Sequence, residues 1–142
     1  MKSWRASRRG RRESCAGCIA IAIALGPNPQ EDPDFDFLRW KPSAYAAEQA
    51  YAQAGITNPR KQIQVAQVHD CFTLTELLSY EDLGFCAKGS AKEQIASGVF
   101  ELGGELPVNT DGGLRTFGHP TGATGVRMLY ENVLQLQGRA AK

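Results

Sequence analysis

The sequence predicts an α/β fold, and three observations carry that prediction. Ile19-Ala-Ile-Ala-Ile-Ala-Leu25 alternates β-branched residues with alanine, the period of two expected of a strand. Gln62-Ile-Gln-Val-Ala-Gln-Val68 repeats that alternation before it closes on an apolar run. Segments with helical spacing follow both, near residues 43–54, 73–83 and 125–137, each bounded by a cap or a glycine. Helices packed on a sheet are the expected arrangement of such alternating elements.

A chain of 142 residues suits one domain with a real core. Its net charge of +1 gives no global reason to expect nucleic acid or an anionic membrane as a partner. Four cysteines, Cys15, Cys18, Cys71 and Cys86, are too few and too uneven for a disulfide scaffold. They fit a reducing compartment, so a cytoplasmic location is expected.

Residues 1–17 form a basic leader of unknown role, rich in arginine and opposed only by Glu13. A basic stretch before an apolar run is also the pattern of a secretory signal, and Arg8-Arg9 is compatible with twin-arginine export. The strand is preferred for 19–25, because Gly26-Pro-Asn-Pro reads as a turn rather than a cleavage site. The apolar run is too short to span a bilayer as a helix. Cys15-Ala-Gly-Cys18 lacks two further ligands for zinc and runs into a strand rather than a helix, so no metal or redox role is assigned to it.

The elements then follow in order. Residues 30–41 are acidic and aromatic and read as a connecting loop. Ser43 is an N-cap candidate for the first helix, and Gly55 with Ile56 a Schellman end. Asn58-Pro59 makes a turn before the second strand at 62–68. Thr73-Leu-Thr-Glu76 has the pattern of a capping box, with the helix stopping at Gly84. His69 and Cys71 thus lie in a short loop between a strand and a helix, where α/β sheets present chemistry. A short helix at 91–97 ends at Gly98, and a further extended segment is expected near 106–110.

Asn109 to Gly125 is the densest glycine region, with His119 between Gly118 and Pro120. It is neither a Walker phosphate loop nor a dinucleotide fingerprint, since the spacing fits neither. It reads as a tight loop that sets an imidazole beside the start of the closing helix. That helix has Leu129, Val133 and Leu136 on one face. Thiol and imidazole together suit acyl transfer, with thiol as nucleophile or acid/base and imidazole as proton acceptor or oxyanion donor.

Val68-His-Asp-Cys-Phe72, Thr75-Glu-Leu-Leu and Tyr80-Glu-Asp-Leu-Gly-Phe85 together resemble the C-terminal half of thiolases of the sterol-carrier-protein type. Val108-Asn109, Gly112-Gly113, Gly118-His-Pro-Thr-Gly-Ala-Thr-Gly125 and Gln135-Leu-Gln-Gly138 resemble the same family's later motifs. Most thiolases have Asn-Glu-Ala-Phe where this chain has His69-Asp-Cys-Phe72. The resemblance implies a mixed sheet covered by helices, truncated here, over a partial domain at 18–142. It implies a thiolase-type acyl-CoA acyltransferase of lipid metabolism, an acetyl-CoA acetyltransferase or 3-ketoacyl-CoA thiolase.

By that resemblance His119 activates the nucleophilic cysteine and helps form an oxyanion hole. His69 holds the thioester oxygen, and Cys71 acts as acid/base. Asn109, Gly118 and Gly122 line the substrate. No metal and no cofactor is implied, coenzyme A thioester being the substrate. Thiolases consist of two similar halves, and the nucleophile stands in the first, in a Cys-x-Ser context that Cys15-Ala-Gly17 does not match. The expected partners are therefore that half or a second copy of this chain, with no nucleic acid and no membrane, and the isolated chain is expected to be inactive. The rival expectation is a non-catalytic remnant or an acyl- or lipid-binding partner subunit.

Overall fold

Pro42 starts the first helix earlier than the capping pattern suggests. The computed structural model describes residues 18–26 and 30–140. Six helices order these residues: α1 (Lys41–Ala54), α2 (Pro59–Gln62), α3 (Thr73–Asp82), α4 (Ala91–Ala96), α5 (Gly113–Phe117) and α6 (Thr124–Gln137). Ser43 is not the cap of α1. Proline fits the first turn because it has no N–H to leave unbonded, so the helix begins at Lys41 with Trp40 before it. The Trp40 N–H donates to Asp82 Oδ2 at 2.7 Å, which ties this end to α3. Lys88 braces the same corner through Asp82 and Glu81, at 3.4 and 3.6 Å.

The other end of α1 follows the sequence. Gly55 takes the left-handed conformation at φ 69°, and the Ile56 N–H reaches Tyr51 O at 2.9 Å. Asn58-Pro59 does more than turn. Asn58 Oδ1 accepts from the Lys61 N–H at 3.2 Å, which caps the short α2.

The expected mixed sheet is not confirmed: none forms among the described residues. Their one β-pairing is an isolated parallel bridge between Ala66 and Val108. It consists of Ala66 N–H to Pro107 O at 3.1 Å and Asn109 N–H to Ala66 O at 3.0 Å. The expected strand at 62–68 and extended segment at 106–110 meet only there. No helix crosses 19–25, yet no ladder forms there either. That segment keeps the expected period of two in its exposure. Ile19, Ile21, Ile23 and Leu25 are 85, 71, 83 and 95 % exposed, while Ala20, Ala22 and Ala24 are half-buried. The Ile21 N–H donates to Gln53 Oε1 of α1 at 3.3 Å. Side-chain alternation is local, but a strand also needs a second backbone edge to bond to. The leader, Cys15 and the turn at 27–29 lie outside the described residues.

The capping box at the start of α3 is also corrected. Thr73 is the first helical residue and makes no side-chain cap, with extended Phe72 before it. Glu76 turns inward instead, accepting from Tyr80 Oη at 2.6 Å and Asn109 Nδ2 at 3.5 Å. One donor from the next turn of α3 and one from a distant segment outcompete one backbone N–H.

The core lies beneath the bridge. Ala66, Val68, Tyr80, Phe85, Ala91, Phe100, Leu106 and Val108 form one cluster, with Leu106 fully buried. Tyr80 and Phe100 stack at 4.1 Å. α3 packs on α1 and on α4. Gly98, at φ 75°, follows α4 as expected.

α6 reverses its expected orientation. Leu129 and Leu136 are 67 and 64 % exposed, and Val126 and Tyr130 are exposed with them. The buried residues of this helix are polar, Thr124 and Glu131. Glu131 Oε1 lies 3.4 Å from Thr110 Oγ1 and accepts from Gln135 Nε2 at 2.8 Å. Burial of a carboxylate is tolerated when such donors satisfy it. Periodicity identified the helix and its apolar stripe but could not say which face meets the described chain.

Candidate active site

The parallel bridge sets the geometry. Both segments run the same way through Ala66 and Val108, so the residues after each emerge at the same end. From the first segment come His69, Asp70 and Cys71. From the second come Asn109, α5 and the Gly118–Gly125 loop.

Three side chains stitch the two segments together. Asn109 stands in the left-handed region at φ 49°, which asparagine tolerates better than most residues. Its Oδ1 accepts from the Val68 N–H at 2.9 Å. Its Nδ2 faces Glu76, so the carboxamide is engaged with the chain on both sides. Asp111 accepts from Gln67 Nε2 at 3.3 Å and the Gly113 N–H at 3.0 Å, and it pairs with Arg127 of α6. The Arg127 guanidinium in turn lies 5.3 Å over the Phe117 ring. Asp70 accepts from the Leu114 N–H at 3.1 and 3.0 Å through its two oxygens.

The two imidazoles meet. His69 and His119 stand edge to face with ring centroids 4.8 Å apart and planes at 69°. His119 is exposed but oriented: its Nδ1 lies 2.7 Å from Thr124 Oγ1 in the first turn of α6. Thr124 is buried, and its hydroxyl donates to Pro120 O at 3.2 Å. That hydroxyl has a single proton. If Pro120 takes it, both contacts are satisfied only when His119 Nδ1 carries a hydrogen and donates to Thr124. Nε2 then has a free lone pair able to accept a proton.

Cys71 lies in the same loop as His69 but bonds elsewhere. Its thiol donates to Thr75 Oγ1 at 3.7 Å, and among the described residues no imidazole hydrogen-bonds it. Gly118, at φ 77°, and Gly122 both face open space, with no atom within 4 Å of where a side chain would begin. The loop therefore leaves room beside His119. Burial raises Tyr80 well above an ordinary phenol, and the contact with Glu76 adds to it. Tyr80 thus stays protonated and donates to Glu76, which fixes Asn109 below the site.

The sequence reading missed Asp70, Asp111 and Thr124. Only Thr124 leaves a local signal, four residues after Pro120, where a hydroxyl can bond back to the preceding turn. Among the described residues, no group of three or more histidine, cysteine or acidic side chains could hold a metal ion. A cavity of about 560 Å³ involves α1, the end of α3 and Lys88, and neither histidine nor Cys71 lines it. No helix among the described residues is long and apolar enough to cross a membrane.

Two imidazoles in contact and a nearby thiol, on loops that lead into helices, are groups that acid–base catalysis employs. The chain belongs to the family of thiolase C-terminal domain-like proteins, whose model matches residues 30–142. It is 40 % identical over 107 residues to acetyl-CoA acetyltransferase of Methanothermobacter thermautotrophicus, covering 75 % of this chain and 27 % of that protein. It is 41 % identical over 100 residues to human sterol carrier protein 2, covering 70 % of this chain and 18 % of that protein. It is 43 % identical over 90 residues to 17-hydroxy-3-oxo-4-pregnene-20-carboxyl-CoA lyase of Mycobacterium tuberculosis, covering 63 and 22 %. Among solved structures it resembles the Ltp2-ChsH2(DUF35) aldolase, with a TM-score of 0.72 and 32 % identity, covering 85 % of this chain and 31 % of that one. The chain thus spans about a fifth to a quarter of these curated relatives.

Proposed function

We propose that this chain supplies the acid–base and oxygen-binding half of a thiolase-type acyl-CoA acyltransferase. The observation that carries the reading is the edge-to-face pair of His69 and His119. In the cleavage direction the substrate is a 3-ketoacyl-CoA, and a cysteine from a thiolase N-terminal half is the nucleophile. His119 Nε2 takes the proton of that thiol. The thiolate adds at C3, the C2–C3 bond breaks, and the electron pair is left as the enolate of acetyl-CoA. His69 donates to the thioester oxygen, and Cys71 protonates C2. Free coenzyme A gives its thiol proton to the Cys71 thiolate and takes the acyl group as a new thioester, and the displaced cysteine thiolate recovers its proton from His119. Asn109 holds the two loops in register, and Gly118 and Gly122 leave space for the substrate.

On this reading pairing with the other half completes a mixed sheet at the row of exposed isoleucines and covers the apolar face of α6. The required free thiol at Cys71 fits a cytoplasmic setting.

A second reading is favoured by the relatives named as a lyase and an aldolase. In a retro-aldol cleavage a base takes the 3-hydroxyl proton of a 3-hydroxyacyl-CoA. The C2–C3 bond breaks to a carbonyl compound and the same enolate, which an acid protonates. No covalent cysteine takes part.

One experiment separates the readings. The chain is mixed with a thiolase N-terminal half bearing Cys-x-Ser and assayed on acetoacetyl-CoA plus coenzyme A, and on a 3-hydroxyacyl-CoA alone. Thiolysis that His119→Ala abolishes and Cys71→Ala strongly reduces supports the acyltransferase. Cleavage of the hydroxyacyl thioester alone supports the lyase. A stable complex without either activity would leave a non-catalytic, acyl-binding subunit and sink both.

A further inference from the structure

We infer that Asp70 is a positioning residue, the clamp that sets the spacing between the His69–Cys71 loop and the His119 loop. It stands between the two site residues of the first loop. Both carboxylate oxygens lie at hydrogen-bond distance from one backbone N–H, that of Leu114 in the first turn of α5. α5 is a single short helix, and it ends at Gly118, directly before His119. The Gly118 N–H bonds back to Leu114 O at 2.8 Å, so the clamped residue also anchors the start of the His119 loop.

The approach is close enough to dictate a neighbour. Gly113 has φ 60°, and a Cβ built there would lie 2.1 Å from Asp70 Oδ2. Only glycine satisfies both the backbone and the carboxylate at this point. Asn109 and Asp111 join the same segments nearer the bridge. Asp70 is the stitch within the first loop itself, and its displacement changes where His69 stands relative to His119.

Shape rather than charge defines this role. The carbonyl oxygen of an asparagine can accept the Leu114 N–H in the same place, whereas alanine cannot. The catalytic consequence rests on the acyl-transfer reading above, and the geometric one does not.

The chain has only two histidines, so their ring signals in a two-dimensional NMR spectrum are easily followed. The native chain and D70N should show a cross peak between the two imidazoles. D70A and G113A should lose it. With the nucleophile half added, D70A should lower kcat about 100-fold and D70N by no more than about threefold, since small misplacements at a reacting centre have effects of that order. Circular dichroism identifies any variant that does not fold, and should D70A fail, D70N against G113A still decides. A cross peak absent from the native chain, retained in both D70A and G113A, or lost equally in D70N would overturn the inference. Inactivity of the reconstituted native protein would refute the acyl-transfer reading while the NMR comparison still judged Asp70.

Discussion

Replacing Thr124 with valine tests whether a buried hydroxyl sets the tautomer of His119. Valine keeps the shape of threonine but removes the acceptor of the Nδ1 hydrogen, which lies 2.7 Å away. It also removes the donor to Pro120 O at 3.2 Å, but that carbonyl keeps the N–H groups of Ala123 and Thr124 at 2.8 and 3.0 Å. The histidine therefore bears the larger change. One neutral hydrogen bond is worth about 1 kcal/mol net, which corresponds to about a fivefold change in the ratio of the two tautomers. Nitrogen-15 NMR of the imidazole reads that ratio in the isolated chain. The native protein should hold its hydrogen on Nδ1, T124V should shift the population towards Nε2–H by about that factor, and T124S should restore it. In the reconstituted enzyme T124V should lower kcat about five- to tenfold, because the base is both mis-protonated and less well oriented. A native chain with its hydrogen on Nε2, or a ratio unmoved by T124V, would refute the reasoning.

Leu106 is fully buried in the cluster beneath the bridge, so L106A should cost about 3–5 kcal/mol in urea denaturation. A loss below 1 kcal/mol would mean that this core does not hold the two loops. L129K combined with L136K should reduce self-association in sedimentation without altering circular dichroism, since both side chains are exposed on an apolar face. Unchanged association would place the interface elsewhere. Burial pushes Tyr51 from 10.0 to about 12, so the unfolded chain loses this proton first as pH rises. Its contribution to stability should be complete below pH 10 and fade towards pH 12, and Tyr51→Phe should flatten that stretch of the stability–pH curve.

The sequence by itself determined the local features. Helical spacing located α1, α3 and α6. Gly55 and Gly138 end their helices in the left-handed conformation, where the absence of a side chain makes it inexpensive. The motifs around His69 and His119 carried the family resemblance, which the match over residues 30–142 bears out. Tertiary structure decided every feature that needs a second partner distant in the chain. The segment at 19–25 has the side-chain pattern of a strand, yet it gains no ladder, because hydrogen bonds require a facing backbone. Glu76 sits where a capping residue would, yet it accepts from Tyr80 one turn on and from Asn109, which approaches only in the fold. α6 shows its apolar stripe in any window, but Thr110 and Asp111 select its polar face for burial. The closeness of the two imidazoles belongs to the same class. It depends on a bridge between Ala66 and Val108 and on Asp70 reaching Leu114, contacts that arise only when distant stretches of the chain are brought together.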